Sequence, residues 1–340
     1  QGSRERVPGP PPAERQRGLR ADGPCPAAEA VVIVGPTASG KSDIACALAR
    51  RFGGWILSVD SMAVYRGLDI GTSKPPAEIR REIPHRGLDL VDPGRDFSLG
   101  DFIRAADEAL SEMRSAGALP ILVGGTGLYL RGVLKGVAPL PGRDPVFRRR
   151  LLEREAVEGP GTLHRLLSET DPESARRIPA ADIQRVVRAL ELGERGVRGA
   201  LGKPGAEWNA PDRFPSVKVG IRRDRGELER RVEKRVDRFL SRGLLEETRA
   251  LLQRHPPTAN AFKALGYREL AAHIRGESDL GAARSEMVRN TLRYAKRQMT
   301  WFRKEPDVRW FELSGPAEAA APLIGDFVAG CLGRVSAVAE

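Results

Sequence analysis

The residues best suited to chemistry stand early in the chain, in the octapeptide GPTASGKS at 35–42. Gly35, Gly40, Lys41 and Ser42 complete a GxxxxGK[S/T] spacing, with Pro36, Thr37, Ala38 and Ser39 between them. The run follows an apolar stretch, AVVIVG, and precedes a helical one, SDIACALARRF, which is the context that gives this motif its meaning. Glycines let the backbone curl until successive N–H groups and a helix N-terminus face one anion. Lys41 then adds a point charge, and the Ser42 hydroxyl can ligate Mg²⁺ together with a bound diphosphate. Two chemistries remain open at this point: transfer of a nucleotide's terminal phosphoryl group, or retention of a diphosphate for some other purpose.

Two further loops end apolar runs. Asp60 closes WILSVD and opens DSMAVYRGLDIGTSKP, a loop crowded with Ser, Tyr, Gly, Thr and Lys. Thr126 lies in VGGTGLY, where the glycine pair is expected to let a ligand approach the backbone closely. If both runs are strands of one parallel sheet, Asp60 and Thr126 share its C-terminal edge, where ligands of open α/β folds bind. In DRGELERRVEKRVDRFLSRG, Arg231 and Arg235 are four apart and share a helix face, so they can clamp an anion, although the segment otherwise reads as a salt-bridged surface. In EMVRNTLRYAKRQMTWFRK, Val288, Leu292, Ala295, Met299 and Phe302 predict one buried stripe. Arg289, Arg293, Lys296, Arg297, Arg303 and Lys304 then fall together beside it. Seven cations against one acid over 284–304 is not the mixed-sign pattern of a solvated face, and it suits a phosphate backbone.

The elements that must position these residues are legible as alternating apolar runs (AVVIVG, WILSVD, LDLVD, PILVGG, VKVGI) and helical patterns such as LGDFIRAADEALSEMRSAG. Alternation of this kind predicts an α/β fold, a parallel sheet flanked by helices. From 139 to 212 no strand pattern occurs, only Arg-rich helical stretches such as DPVFRRRLLEREAV and DIQRVVRALELGERG. We read 139–212 as an inserted all-helical subdomain between core segments 30–138 and 213–330, with helices following the last strand to the end. Residues 1–29, rich in Pro, Gly and Arg, are expected to be a disordered tail.

Composition narrows the field. With 41% hydrophobic and 30% charged residues the chain is expected to be soluble, and no run approaches the roughly 20 apolar residues of a membrane span. Three cysteines, odd in number and far apart, suggest neither a disulfide framework nor a zinc cluster, and point to a reducing cytoplasm. His85, His164, His255 and His273 lack ligand spacing. Net charge is +11, yet residues 1–29 hold five Arg against four acids, so the excess belongs to the folded body and favours a polyanionic partner.

Taken in order, GPTASGKS, SVDSMAVYRGLDIGTSKP, HRGLDLVDP, PILVGGTGLYLRGVLKG, DIQRVVRALEL, KALGYREL and AKRQMTWFRK closely resemble the motif series of the tRNA dimethylallyltransferase, or tRNA isopentenyltransferase, family over residues 31–312. The resemblance implies a core like that of the P-loop NTPases in which the loop grips dimethylallyl diphosphate. No phosphoryl group moves; the prenyl group passes to N6 of adenine 37, in the anticodon stem-loop of tRNAs reading codons that begin with U. It implies Asp60 as general base, Thr126 as a second catalytic residue, and Arg235 beside Lys41 and Mg²⁺ on the diphosphate. It also implies tRNA contacts at Asp60, Ser61, Met62 and Ala63; at Thr126 and Arg148; at Gln184, Arg185, Val186, Val187 and Arg188; at Lys263, Ala264, Leu265, Gly266, Tyr267 and Arg268; and at Lys296, Arg297, Gln298, Met299, Thr300, Trp301, Phe302 and Arg303.

The stretch GVRGALGKPGAEWNAPD departs from the family pattern, the tail lies outside it, and without a terminal Cys/His zinc element the chain resembles the bacterial type, expected to act as a monomer. Three rivals remain. An adenylate isopentenyltransferase would need neither insert nor basic helix, and a P-loop small-molecule kinase would turn over ATP alone. A non-catalytic RNA-binding protein would not need Lys41, Ser42 and Asp60 together.

Overall fold

The computed structural model describes residues 28–137, 140–199 and 210–332. Six strands form one all-parallel sheet: β1 (Ala30–Val34), β2 (Gly54–Val59), β3 (His85–Arg86), β4 (Leu119–Gly124), β5 (Ser216–Arg223) and β6 (Val308–Leu313), in the order β3-β2-β4-β1-β5-β6. The helices are α1 (Lys41–Phe52), α2 (Ala77–Glu82), α3 (Leu99–Ser115), α4 (Gly127–Lys135), α5 (Pro145–Glu158), α6 (Thr162–Thr170), α7 (Pro172–Arg177), α8 (Ile183–Glu194), α9 (Arg225–Ser241), α10 (Leu244–Arg254), α11 (Tyr267–Ile274), α12 (Leu280–Phe302) and α13 (Ala321–Leu332).

Strand alternation divides the core into two layers. Val32, Val34, Leu57, Val59 and Leu122 point into a layer completed by α3, α4 and α9–α12, with Phe102, Leu110, Val133, Val236, Leu270 and Phe302 buried there. Val31, Ile33, Ile56, Ile121 and Val123 point the other way, onto Ile44 and Leu48 of α1 and Ile324 and Val328 of α13. With both faces covered, the strands can be apolar throughout, as parallel sheets require. The register makes the strand ends level: Ile33 lies opposite Val123, and Val59 opposite Gly124. The loops after β1, β2 and β4 therefore leave one edge of the sheet side by side.

The insert is helical over its described residues and has its own core of Leu151, Leu163, Leu167, Ile178, Val186, Val187 and Leu190. Its exit is pinned by Asp212, which pairs with Lys135 of α4 at 3.2 Å and with the buried Lys218 of β5 at 2.7 Å. The GVRGALGKPGAEWNAPD stretch falls largely at 200–209, outside the described residues, as does the predicted tail over 1–27.

Four expectations need correction. Ala28 is buried and the Glu29 N–H donates to the Pro215 carbonyl at 3.0 Å, so order begins before residue 30. The strand assigned to LDLVD lies earlier, at His85–Arg86; Val91 makes only an isolated bridge with Tyr65. The segment after β5 is not purely helical, because VRWFEL forms β6. As the edge strand it tolerates exposed polar residues, which hid it from hydropathy. On α12 the buried stripe is Ala283, Met287, Asn290, Ala295, Gln298 and Phe302, while Val288, Leu292 and Met299 are only half-buried.

Candidate active site

The loop after β1 is bent by alternating backbone handedness. Ala38 (φ 62°) and Gly40 (φ 98°) both occupy the left-handed region, which turns successive N–H groups toward one point. Close packing fixes the first glycine as well, since a Cβ on Gly35 would lie 2.3 Å from the Ile221 carbonyl oxygen. The loop's carbonyls are drawn outward by two guanidiniums. Arg223 Nε donates to Ser39 O and Arg231 Nε donates to Ala38 O, each at 2.8 Å. Arg231 thus supports the loop from behind and does not join Arg235 in a clamp. Thr37 N–H is engaged elsewhere, donating to Gln298 Oε1 at 2.8 Å.

At the mouth of this cradle stand Lys41, Arg235 and Asp60. Lys41 Nζ donates to the Pro36 carbonyl at 2.6 Å. Desolvation first, and then the nearby Arg235 charge, lower its pKa to about 7, with Asp60 pulling in the opposite direction. Arg235 is lowered to about 10 by desolvation, again opposed by Asp60, and its guanidinium lies 5.0 Å from the Phe239 ring. Two desolvated cations, with Lys41 close enough to feel the Arg235 charge, are an arrangement that an anion relieves. Ser42 is exposed in the first turn of α1.

Asp60 caps its own turn, with Oδ1 accepting from Met62 N at 2.8 Å and Ala63 N at 3.2 Å. Thr126, on the neighbouring loop, is tied to this turn, its Oγ1 accepting from Ser61 N at 3.1 Å. Tyr294 of α12 feels the Asp60 charge and reaches the Gly125 carbonyl at 3.4 Å; desolvation, then Asp60, raise its pKa to about 12. The glycines of VGGTG serve packing and not ligand access: a Cβ on Gly125 would lie 2.0 Å from Gln298 Nε2, and one on Gly127 2.1 Å from Trp301.

The 60–75 loop is braced by residues that sequence reasoning did not single out for this. Lys74, buried, donates to Tyr65 O at 2.6 Å and pairs with Asp69 at 2.8 Å and Asp89 at 2.5 Å. Glu247 accepts from Ile70 N at 3.1 Å, and the Tyr267 hydroxyl, which bonds Glu247, accepts from Gly71 N at 3.1 Å. Gly71 is the sequence signal for this brace, because a Cβ there would meet the Tyr267 ring at 2.4 Å.

The residues expected at an RNA surface divide by exposure. Arg185, Gln184, Lys263, Arg268, Lys296, Arg297, Thr300 and Arg303 are exposed, as are Arg289, Arg293 and Lys304. Arg131, Arg293, Lys296, Arg297, Thr300, Trp301 and Lys304 line a groove of about 530 Å³, in which Arg131 stacks 5.0 Å from the Trp301 ring. The side chains of Ala63, Val186, Val187, Ala264, Tyr267, Gln298 and Phe302 are instead buried, which withdraws them from a docked partner; hydrophobic packing claims all but Gln298 among them, and the Tyr267 hydroxyl and the Gln298 amide hold loops. Gly266 is buried too, and Ser61, Met62, Leu265 and Met299 are half-buried. Arg148 and Arg188 are largely committed inside the insert, both pairing with the buried Glu191, at 3.4 and 2.6 Å.

Comparison with known proteins agrees with this geometry. The sequence profile described as IPP transferase matches residues 63–305, and that described as isopentenyl transferase matches 28–83. The chain belongs to the tRNA dimethylallyltransferase family. The tRNA dimethylallyltransferase of Geobacter sulfurreducens is 44% identical over 83% of this chain and 91% of its own, and that of Geobacter metallireducens is 44% identical over 87% and 96%. In structure, the tRNA isopentenylpyrophosphate transferase of Bacillus halodurans matches with a TM-score of 0.68 and 36% identity, over 91% of this chain and 98% of its own. A eukaryotic dimethylallyltransferase captured acting on tRNA matches with a TM-score of 0.72 and 25% identity, over 88% and 79%. Membership of this family accounts for a P-loop core whose cradle opens beside an exposed basic helix.

Proposed function

We propose that the protein transfers the dimethylallyl group of dimethylallyl diphosphate to N6 of adenine 37 in tRNAs reading codons that begin with U, releasing diphosphate. The observation that carries this reading is the electrostatic proximity of Lys41, Arg235 and Asp60 at the phosphate-binding loop, to which α12, the helix lining the basic groove, is tied through Gln298. The diphosphate lies in the N–H cradle. As the allylic C–O bond breaks, charge develops on the departing oxygens, and Lys41, Arg235 and the loop N–H groups stabilise it. The electron pair of the adenine N6 forms the new C–N bond, and Asp60 accepts the proton that N6 loses. Thr126 orients the base against the Asp60 turn.

An adenine stacked in a loop cannot reach this opening, so it is extruded. The exposed cations of α12 hold the phosphates around it, joined by Arg185, Lys263 and Arg268. Mg²⁺ fits the donor set. Ser42, exposed in the first turn of α1 beside the cradle, would hold the ion together with a bound diphosphate. When bound, it supplies further neutralisation of the leaving group. No helix among the described residues is long and apolar enough to cross a membrane, and we place the reaction in the cytoplasm with the tRNA pool.

The test is incubation with Mg²⁺, dimethylallyl diphosphate and unmodified tRNA, then nuclease digestion and mass spectrometry. Isopentenyladenosine from position 37 is the expected product. Prenylation of free AMP in its place would indicate the nucleotide enzyme, and ATP turnover without the prenyl donor would indicate a kinase.

A further inference from the structure

Gln298 is the polar residue that α12 buries most deeply, at 5% exposure, in the middle of a stretch otherwise crowded with exposed cations. Its amide is used at both ends. Oε1 accepts from the Thr37 N–H of the cradle at 2.8 Å, and Nε2 donates to the Gly125 carbonyl of the loop after β4 at 3.0 Å. We propose that Gln298 is a positioning residue that sets the gap between leaving group and nucleophile, a role that rests on the functional reading above.

Three observations support it. A continuous chain of bonds runs from Thr37 through Gln298 to Gly125, whose neighbour Thr126 accepts from Ser61 N beside the proposed base, Asp60. Both loops carry a signature of the contact: a Cβ on Gly125 would lie 2.0 Å from Nε2, and Thr37 commits its N–H to Oε1. Among side chains of this length only an amide combines the acceptor that Thr37 needs with the donor that Gly125 needs. Glutamate lacks the donor, lysine the acceptor, and methionine both. Gln298 also shares its helix with Lys296, Arg297 and Thr300 of the basic groove, so the same element that meets RNA fixes the spacing of the two loops.

The experiment compares Gln298→Glu, Gln298→Met and the wild-type full chain in three measurements: affinity for dimethylallyl diphosphate, affinity for unmodified tRNA, and the single-turnover rate with both saturating. Misplacing reactants by about 1 Å can cost about a hundredfold in rate. The expected result is that each separate affinity stays within about threefold while the single-turnover rate falls at least about tenfold. Gly125→Ala, which pushes on Nε2 from the other side, should give the same split if a Gln298 variant folds poorly. Rates within about twofold of wild type in all three variants would overturn the proposal. So would a rate loss that merely tracks parallel losses of Tm and both affinities. No transfer by the wild-type chain would overturn the functional reading itself, and this inference with it.

Discussion

The cradle and the basic face of α12 both carry positive charge, and they hold it in different ways. Lys41 and Arg235 are desolvated, their pKa values lowered to about 7 and about 10, beside a loop fixed by Arg223, Arg231 and Gln298. Arg293, Lys296, Arg297 and Lys304 stand in solvent along an open groove. Desolvated, fixed charge acts strongly on one developing anion and is little screened by salt. Exposed charge acts additively on many phosphates and is screened within about 10 Å at 0.1 M salt. The first arrangement lowers a barrier; the second recruits a polyanion.

That contrast breaks most visibly at the point between the two. Asp60→Asn keeps an oxygen for the Met62 and Ala63 N–H groups but removes the base, so turnover should fall about 10²- to 10⁴-fold with tRNA affinity nearly unchanged. A near-normal rate would remove the general-base assignment. Arg235→Met, inside the cradle, should cost about 10²- to 10³-fold in single-turnover rate, and the size of that loss should hardly change between low and high salt. A loss that vanishes at low salt would mean that Arg235 behaves as a surface charge.

The insert carries a third arrangement. Glu191 is buried between Arg148 and Arg188 and accepts the Asp144 N–H. Burial alone would raise its pKa, but the Asp144 N–H and the two guanidiniums hold it below the usual carboxylate value. A depressed folded-state pKa means stabilisation that is present above the unfolded value and is lost as pH falls through the folded one. Glu191→Gln should therefore destabilise the insert by about 3 kcal/mol at neutral pH, seen as faster hydrogen exchange in α5 and α8, with protection of the sheet retained. Removing single exposed cations of the basic groove, Arg293 or Lys304, should weaken tRNA binding only severalfold and reduce the salt slope of log K by about 1 each. A slope that does not move would place the RNA elsewhere. The smallest effect is a proton. Because Lys41 is lowered to about 7, diphosphate binding should restore its ammonium and take up a fraction of one proton near pH 8, but none near pH 5. Calorimetry in buffers of different ionisation enthalpy reads this directly.

The same contrast explains what the sequence revealed. The cradle is local: Gly35 to Ser42 are contiguous, and strand, loop and helix follow in order, so both motif and placement were legible. The level strand ends that join Asp60 to Thr126 followed from apolar runs alone. What stayed hidden were long-range polar contacts. Gln298 and Asn290 read as surface in hydropathy, which rotated the predicted stripe of α12 toward Val288, Leu292 and Met299. Glu247 and Tyr267 brace the 60–75 loop from far away in the chain, where no spacing rule applies, and Lys74 is buried there by ion pairs with Asp69 and Asp89 that hydropathy does not register. The resemblance placed whole runs such as 184–188 and 296–303 on the RNA, but a helix shows only part of its circumference, so Val186, Val187, Gln298 and Phe302 turn inward.

The most direct measurement is a structure of the complex with an uncleavable thio-analogue of dimethylallyl diphosphate and an anticodon stem-loop. The expected result is the analogue's diphosphate in the Gly35–Ser42 loop, its first allylic carbon about 3–3.5 Å from the adenine N6, and that N6 about 2.6–3.2 Å from an Asp60 carboxylate oxygen. A prenyl chain directed away from Asp60, or RNA docked on the α13 side of the sheet, would contradict the assignment of this opening as the site of transfer.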